Sequence, residues 1–113
     1  MSDLANKKCA PCRGGVPPLT PAECEPLLRQ LSQWTLESGH HLTKTFPFPN
    51  FARALAFVNR VGRIAEIEGH HPDIYLSWGK VRLDIWTHKI DGLTESDFVL
   101  AAKVERAPTG AGS

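Results

Sequence analysis

Residues 50–69 read NFARALAFVNRVGRIAEIEG, and this stretch decides the fold because it carries the strongest helical pattern in the chain. Apolar side chains recur along it at helical spacing, which predicts a helix with one face on a core. Asn50 is suited to cap the first turn, and Gly69 is a natural stop at the last. The predicted core stripe consists of Phe51, Ala54, Leu55, Val58, Val61, Gly62 and Ala65.

Alternating apolar and polar residues on the N-terminal side of this helix predict a β-hairpin over residues 34–48. Ser38 and Gly39 are typical turn residues and divide it into two strands. His40 and His41 lie at or beside that turn. Because turns are normally exposed, solvated side chains are the favoured interpretation of this pair.

A second hairpin is predicted on the C-terminal side of the helix, over residues 74–85. Its turn is placed at Gly79 and Lys80. Apolar residues alternate on both sides of that turn, so one face of this hairpin is expected to meet the same core.

Two shorter helices are predicted at the ends of the domain. Thr20 and Glu23 form a capping-box pattern before a helix that runs to about Gln33. Thr94 and Asp97 repeat that pattern before a C-terminal helix. The order α-β-β-α-β-β-α predicts an α+β fold, with a four-stranded antiparallel sheet from two hairpins and three helices packed on one face.

Composition restricts the class of protein. The chain has 113 residues, a net charge of +1 and 22% charged residues, which is typical of one soluble domain. It has no basic block to bind nucleic acid, no apolar run long enough for a membrane and no signal-peptide pattern. We therefore expect a cytoplasmic protein. The predicted parts are a flexible arm over residues 1–18, a domain over 19–107 and a loose tail over 108–113.

The chain has three cysteines. Cys9 and Cys12 form a C-x-x-C motif in the Gly/Pro-rich arm, and Cys24 follows in the first helix. Loose or structural cysteines are the favoured interpretation, because a zinc site needs one more ligand and a redox motif normally opens a helix beside a strand. A zinc site is the alternative.

Two of the five histidines stand side by side directly after the long helix. Pro72 restricts His71 to extended geometry, so His70 and His71 occupy a stiff corner. If the second hairpin turns at Gly79 and Lys80, residue 88 pairs near residue 71. His88 is then expected to return to this corner, and three imidazoles meet there.

Three imidazoles allow different functions. Acid–base catalysis near neutral pH is favoured. A catalytic metal with three histidine ligands is the second option, although adjacent histidines in an extended segment rarely chelate one ion. A solvated turn with incidental histidines is the third. No paired carboxylates, Gly-rich phosphate loop or nucleophile elbow competes with this cluster.

These motifs resemble those of the pterin-4a-carbinolamine dehydratases. The resemblance lies in EIEGHHPDIY at residues 66–75, TH at 87–88 and GLTESD at 92–97. QWTL, FPFPNFARALAFV and KVRLDIWTH are also similar, and the resemblance covers about residues 19–106. It implies an α+β fold and dehydration of 4a-hydroxytetrahydropterins to quinonoid dihydropterin, in recycling the pterin of aromatic amino acid hydroxylases. It implies no metal and no cofactor.

The resemblance also implies site residues. His70 and His88 would form the acid–base pair, and His71 would position the pterin ring. Gly69 and Ile74 depart from residues that other members have, which affects details of ring contact. The implied catalytic residues are His70, His71 and His88, and the implied substrate-binding residues are Pro72, Tyr75, Thr87 and Asp97.

The same resemblance implies partners and alternatives. A homo-oligomer, either dimer or tetramer, is expected, and an aromatic amino acid hydroxylase is a candidate partner. The alternatives are a non-catalytic binding module, such as the dimerisation cofactor of a homeodomain transcription factor, and a role in molybdopterin metabolism. The three histidines favour catalysis, because a scaffold does not need them.

Overall fold

The computed structural model describes residues 4–7, 9 and 16–106. Three α-helices and four β-strands follow in the predicted order, with short 3-10 helices at Leu4–Asn6 and His88–Ile90. The α-helices are α1 (Pro21–Leu28), α2 (Phe51–Glu68) and α3 (Glu95–Arg106), and the strands are β1 (Thr35–Glu37), β2 (His41–Pro47), β3 (Asp73–Ser77) and β4 (Lys80–Ile85). Among the described helices, none is long and apolar enough to cross a membrane.

The two hairpins merge into one antiparallel sheet with the strand order β1-β2-β4-β3. The central pairing of β2 with β4 brings Leu42 opposite Ile85 and Phe46 opposite Val81, and all four side chains are buried. Because side chains alternate along a strand, these residues mark the face that meets the helices. The predicted α+β fold is confirmed.

Helix α2 begins and ends where the sequence predicts. The Asn50 side chain accepts a hydrogen bond from the backbone N–H of Arg53, and Gly69 ends the helix in the left-handed conformation at φ +65°. The predicted core stripe is partly wrong, because Phe51 and Leu55 keep about 40% of their surface exposed and Phe57 is fully buried. The buried stripe is Ala54, Phe57, Val61 and Ala65, with Phe57 against the rings of Phe46 and Phe48.

Helix α1 has the predicted capping box, since Thr20 and Glu23 exchange hydrogen bonds. It ends at Leu28, not near the predicted Gln33. The next backbone N–H groups, those of Gln30 and Leu31, bond to carbonyls three residues back, and Gln33 has φ +63°. Such tightening ends an α-helix.

The first turn is confirmed, and the second is wrong by one residue. Ser38 and Gly39 both have positive φ, as expected for a tight hairpin turn. In the second hairpin Ser77 pairs with Lys80, so that the turn is at Trp78 and Gly79. Extending this register places residue 86, not 88, opposite residue 71.

The N-terminal arm is predicted to be flexible, but the part of it that the structure describes packs on the domain. Leu4 and Ala5 are buried in the core cluster, and Lys103 of α3 donates a hydrogen bond to the Ala5 carbonyl at 3.0 Å. Residues 1–3, 8 and 10–15, Cys12 among them, and the predicted tail lie outside the described residues. The domain boundaries stay a prediction.

Candidate functional site

The end of α2 sets the position of His70. Gly69 turns the chain out of the helix, and the His70 backbone N–H still bonds to the Ala65 carbonyl at 3.2 Å. Pro72 then leads directly into β3. The His70 side chain, only 12% exposed, is directed at α3 and its Nε2 lies 2.5 Å from Oδ1 of Asp97.

Asp97 is a fully buried carboxylate that three donors satisfy. Its Oδ1 pairs with His70. Its Oδ2 accepts hydrogen bonds from the Thr87 hydroxyl and from the backbone N–H of Thr94, both at 2.8 Å. A buried carboxylate needs such partners, since leaving it unpaired costs several kcal/mol. Asp97, which is predicted to be the acid of a capping box, therefore also holds the His70 ring by a hydrogen bond.

Thr87 lies at the base of a short loop that returns the chain to α3. Its backbone N–H donates to the Gly92 carbonyl at 2.8 Å, which closes the loop. Asp91 adopts φ +51° inside it. Thr87 is buried, as Asp97 is, so that the pair orients His70 from behind. The prediction that Thr87 and Asp97 contact substrate stays a prediction.

His71 occupies a different environment from its neighbour. Its side chain is 58% exposed, and its Nε2 pairs with Oε2 of Glu66 in the last turn of α2. Glu66 is itself exposed. His71 is therefore tethered at one nitrogen at the protein surface, while His70 is enclosed.

His88 is the third predicted imidazole. It starts the 3-10 helix after β4 and is 56% exposed. Its Nε2 lies 3.9 Å from Oδ1 of Asp73, the first residue of β3, and its ring packs edge-on against Trp86 at 4.3 Å. The predicted pairing of residues 71 and 88 is wrong, but the contact with Asp73 brings His88 to the start of β3, one residue after Pro72.

Two further predicted residues lie beside this corner. Pro72 is half-buried between the histidines and β3. Tyr75 is exposed on the sheet face away from the helices, where the Arg82 guanidinium lies 4.1 Å from its ring centre. The assignments of Pro72 and Tyr75 to substrate binding stay predictions.

His40 and His41 are less solvated than expected. Both are half-buried, and their rings lie within 6 Å of the Trp86 ring. His40 Nε2 also pairs with Asp91 at 2.7 Å. The first hairpin turn is thereby held against the loop that carries His88.

Sequence reasoning missed the carboxylates that accompany the exposed histidines, Glu66 and Asp73, and missed Trp86. Asp73 could have been found, because it follows His71 and Pro72 immediately. Glu66 lies within the helix and carries no local signal. Trp86 comes two residues after Asp84, and side chains two apart on a strand point to the same side. Trp86 is therefore expected on the outer face of the sheet.

Cys9 does not have the properties of a reactive thiol. Its Sγ donates to the Ser96 carbonyl at 3.5 Å. Burial, followed by the nearby charge of Glu68, raises its pKa to about 12. The described Cys9 and Cys24 are both free thiols. Within residues 4–7, 9 and 16–106, no group of three or more His, Cys, Asp or Glu side chains is arranged to hold a metal ion.

Comparisons with known proteins agree with this architecture. The sequence profile of the family described as Pterin 4 alpha carbinolamine dehydratase matches residues 17–107. The chain belongs to this family. A protein of Rubrobacter xylanophilus named "Putative pterin-4-alpha-carbinolamine dehydratase" is 59% identical over 106 residues, which cover 94% of this chain and 99% of the relative.

Further relatives extend the comparison. A protein of the same name from Alkaliphilus metalliredigens is 53% identical over 94% of this chain and 96% of its own. The crystal structure of a transcriptional coactivator/pterin dehydratase from Brucella melitensis superposes with a TM-score of 0.72 at 30% identity, over 78% of this chain and 95% of the other. A pterin dehydratase-like RuBisCO assembly factor of the alpha-carboxysome shares the fold, with a TM-score of 0.55 at 24% identity, over 74% of this chain and 92% of its own.

Proposed function

We propose that this protein dehydrates a 4a-hydroxytetrahydropterin to quinonoid dihydropterin by metal-free histidine acid–base catalysis. The observation that carries the proposal is His70, a little-exposed imidazole whose Nε2 is paired with the fully buried Asp97. Family membership and the HHP and TH motifs support the same reaction. A solvated turn with incidental histidines does not need a buried carboxylate behind one of them.

His70 is the proposed base. With Nε2–H donated to Asp97, Nδ1 of the neutral ring carries the lone pair and can accept the N5 proton of the pterin. This tautomer is assigned from the hydrogen bond. As N5 loses its proton, the electron pair of that bond forms the N5–C4a double bond and the C4a–O bond breaks. Asp97 then stabilises the imidazolium that forms.

His88 is the proposed acid. The Asp73 carboxylate, 3.9 Å from Nε2, is placed to pair with the charged imidazolium. The His88 imidazolium gives its proton to the departing 4a-hydroxyl, which leaves as water. His71, tethered to Glu66, would position the ring by hydrogen bonding. General acid–base catalysis of this kind contributes about 10²–10⁴-fold to a rate.

The proposal includes a physiological setting. The reaction would recycle the pterin used by an aromatic amino acid hydroxylase in the cytoplasm, with the enzyme acting as a homodimer or homotetramer. This setting rests on the resemblance of the HHP, TH and GLT motifs to those of the dehydratases. The proposed reaction also needs no metal ion, and treatment with a chelator tests this.

A binding function is the second candidate, because the related Brucella melitensis structure is titled both a coactivator and a dehydratase. The enclosed His70 and Asp97 pair favours catalysis, since docking of a macromolecule requires exposed groups. A protein that binds a partner but gives no rate acceleration would support this second candidate.

The test is a direct assay of chelator-treated protein with 4a-hydroxytetrahydropterin, following quinonoid dihydropterin by absorbance. Wild-type protein is expected to accelerate dehydration, and His70→Ala and His88→Ala are each expected to lower kcat about 10²-fold or more. Asp84→Asn is the matched control, because Asp84 is a buried carboxylate on the outer sheet face that accepts from Thr43 at 2.6 Å. Wild-type rates in both histidine variants would contradict the mechanism.

A further inference from the structure

The N-terminal arm joins the two elements that supply His70 and Asp97. Glu68, the last residue of α2, accepts a hydrogen bond from the Cys9 backbone N–H at 3.0 Å. The Cys9 thiol in turn donates to the Ser96 carbonyl in the first turn of α3. Glu68 is two residues before His70, and Ser96 is directly before Asp97. The arm therefore bridges the end of α2 and the start of α3 immediately beside the His70–Asp97 hydrogen bond.

Lys103 completes the same bridge. Its Nζ lies 3.5 Å from Oε2 of Glu68 and donates to the Ala5 carbonyl at 3.0 Å. Ser96 and Lys103 are seven residues apart, which is about two turns of α3 and places both on one side of it. One carboxylate thus connects α2, α3 and the arm.

Glu68 is largely enclosed, yet its surroundings favour the charged form of its carboxylate. Its side chain is only 12% exposed. A buried ion pair is seldom more stabilising than well-packed apolar side chains of the same volume. The hydrogen bond from Cys9 nevertheless lowers the pKa of Glu68, so that the carboxylate stays charged here. The charged carboxylate is therefore available to hold the Cys9 N–H and the Lys103 ammonium at the end of α2.

We propose that Glu68 is a positioning residue, which holds His70 in line with Asp97 by fixing α2 to α3 through Cys9 and Lys103. The proposal rests on the proposed dehydratase function and deepens it. It also gives a role to the cysteine-bearing arm, which the catalytic motifs do not involve. A displacement of about 1 Å at a catalytic group can cost up to about 10²-fold in rate, so that a support outside the site is sufficient to matter.

The test compares Glu68 with Glu105, a matched carboxylate at the other end of α3. Glu105 accepts the Ser32 backbone N–H at 2.9 Å and joins α3 to the segment before β1, far along the helix from Asp97. Glu68→Ala and Glu105→Ala each remove a carboxylate that holds a backbone N–H. Both variants are expected to unfold at lower urea concentration than wild type.

Only Glu68→Ala is expected to change the site. It should lower kcat about tenfold with KM within about twofold of wild type, since it misaligns groups without removing a substrate contact. Glu68→Gln, which can still accept the Cys9 N–H, should recover part of that loss. Glu105→Ala should keep wild-type kcat. Proton NMR supplies a readout that does not need activity, because the His70 Nε2–H resonance should shift or broaden in Glu68→Ala alone.

The outcomes separate this proposal from the proposed function. Folded Glu68→Ala with wild-type kcat and an unchanged His70 N–H resonance would overturn the positioning role while leaving the dehydratase intact. An inactive wild-type protein would remove the dehydratase, and the NMR comparison would still decide the positioning role. If Glu68→Ala does not fold, Lys103→Met carries the same comparison, because it removes one of the two partners of Glu68 and keeps its carboxylate.

Discussion

The three histidines of the candidate site differ in how much of the protein supports them. His70 is 12% exposed and is backed by Asp97, which Thr87 and Thr94 hold in turn. His71 and His88 are more than half exposed, and each faces one carboxylate at the surface. Hydrogen bonds that are enclosed and multiply supported fix geometry, whereas surface ion pairs contribute at most about 1 kcal/mol. The difference indicates that His70 needs a fixed orientation, and that His71 and His88 can adjust to a ligand.

The largest expected effect is that of removing charge behind the enclosed histidine. Asp97→Asn should lower kcat about 10²-fold, because an amide cannot stabilise the imidazolium and can bond the wrong tautomer. Dehydration rates and urea unfolding would be measured together. Asp84→Asn makes the same change at another buried carboxylate and should keep kcat within about threefold of wild type. Similar kcat losses in both variants would remove the special role of Asp97.

A smaller effect is expected at the exposed His88. Asp73→Asn should lower kcat by at most about fivefold, because the Asp73 carboxylate is partly solvated and water can replace it beside His88. The measurement is the pH profile of kcat, whose acidic and basic limbs report the groups of the bound complex. A loss as large as that of Asp97→Asn would contradict the contrast between the enclosed and the exposed histidines.

The smallest effect on rate is expected at Glu66. Glu66→Gln should raise KM about two- to threefold and leave kcat near wild type, because the tether of His71 is exposed and concerns ring positioning. Steady-state kinetics with varied pterin concentration separate the two constants. A fall in kcat with unchanged KM would show that His71 takes part in proton transfer.

The pH dependence of the free energy of unfolding tests the contribution of the Glu68 carboxylate. The pKa of Glu68 is lowered, first by the hydrogen bond from the Cys9 N–H, so its contribution is present above its ordinary value of 4.5 and is lost as pH falls below it. Urea unfolding at about pH 6 and about pH 3.5 should therefore show a smaller acid loss of unfolding free energy in Glu68→Gln than in wild type. An unchanged acid loss in this variant would contradict the lowered pKa.

Much of the fold could be predicted because its signals are local. The capping residues Thr20 and Asn50 and the stop at Gly69 bond to groups within a few residues, so that their roles are visible in the sequence. The second hairpin turn was misplaced because its position depends on a distant contact. The Phe48 N–H bonds to the Gly79 carbonyl at 2.8 Å, and this contact between hairpins has no local signature.

The candidate site could be predicted only in its residue types. The HHP corner and the TH motif point to the histidines, whereas Asp97 is a site residue only by the family resemblance, since its local pattern indicates a helix cap. His70 is enclosed because α3 packs beside the end of α2. The sequence of either helix alone does not reveal this packing. The docking of the arm was missed for the same reason, since a short apolar stretch at Leu4 and Ala5 within a Gly/Pro-rich segment gives no periodic signal.

A double-mutant cycle on His70 and Asp97 tests the central claim most directly, namely that the two side chains act as one catalytic unit. Dehydration kcat would be measured for His70→Ala, Asp97→Asn and the double variant, with folding checked for each. Residues that act as a unit are strongly non-additive, so the double variant is predicted to be no slower than His70→Ala. A double variant whose loss equals the product of the two single losses would show that Asp97 acts independently of His70 and would contradict the account.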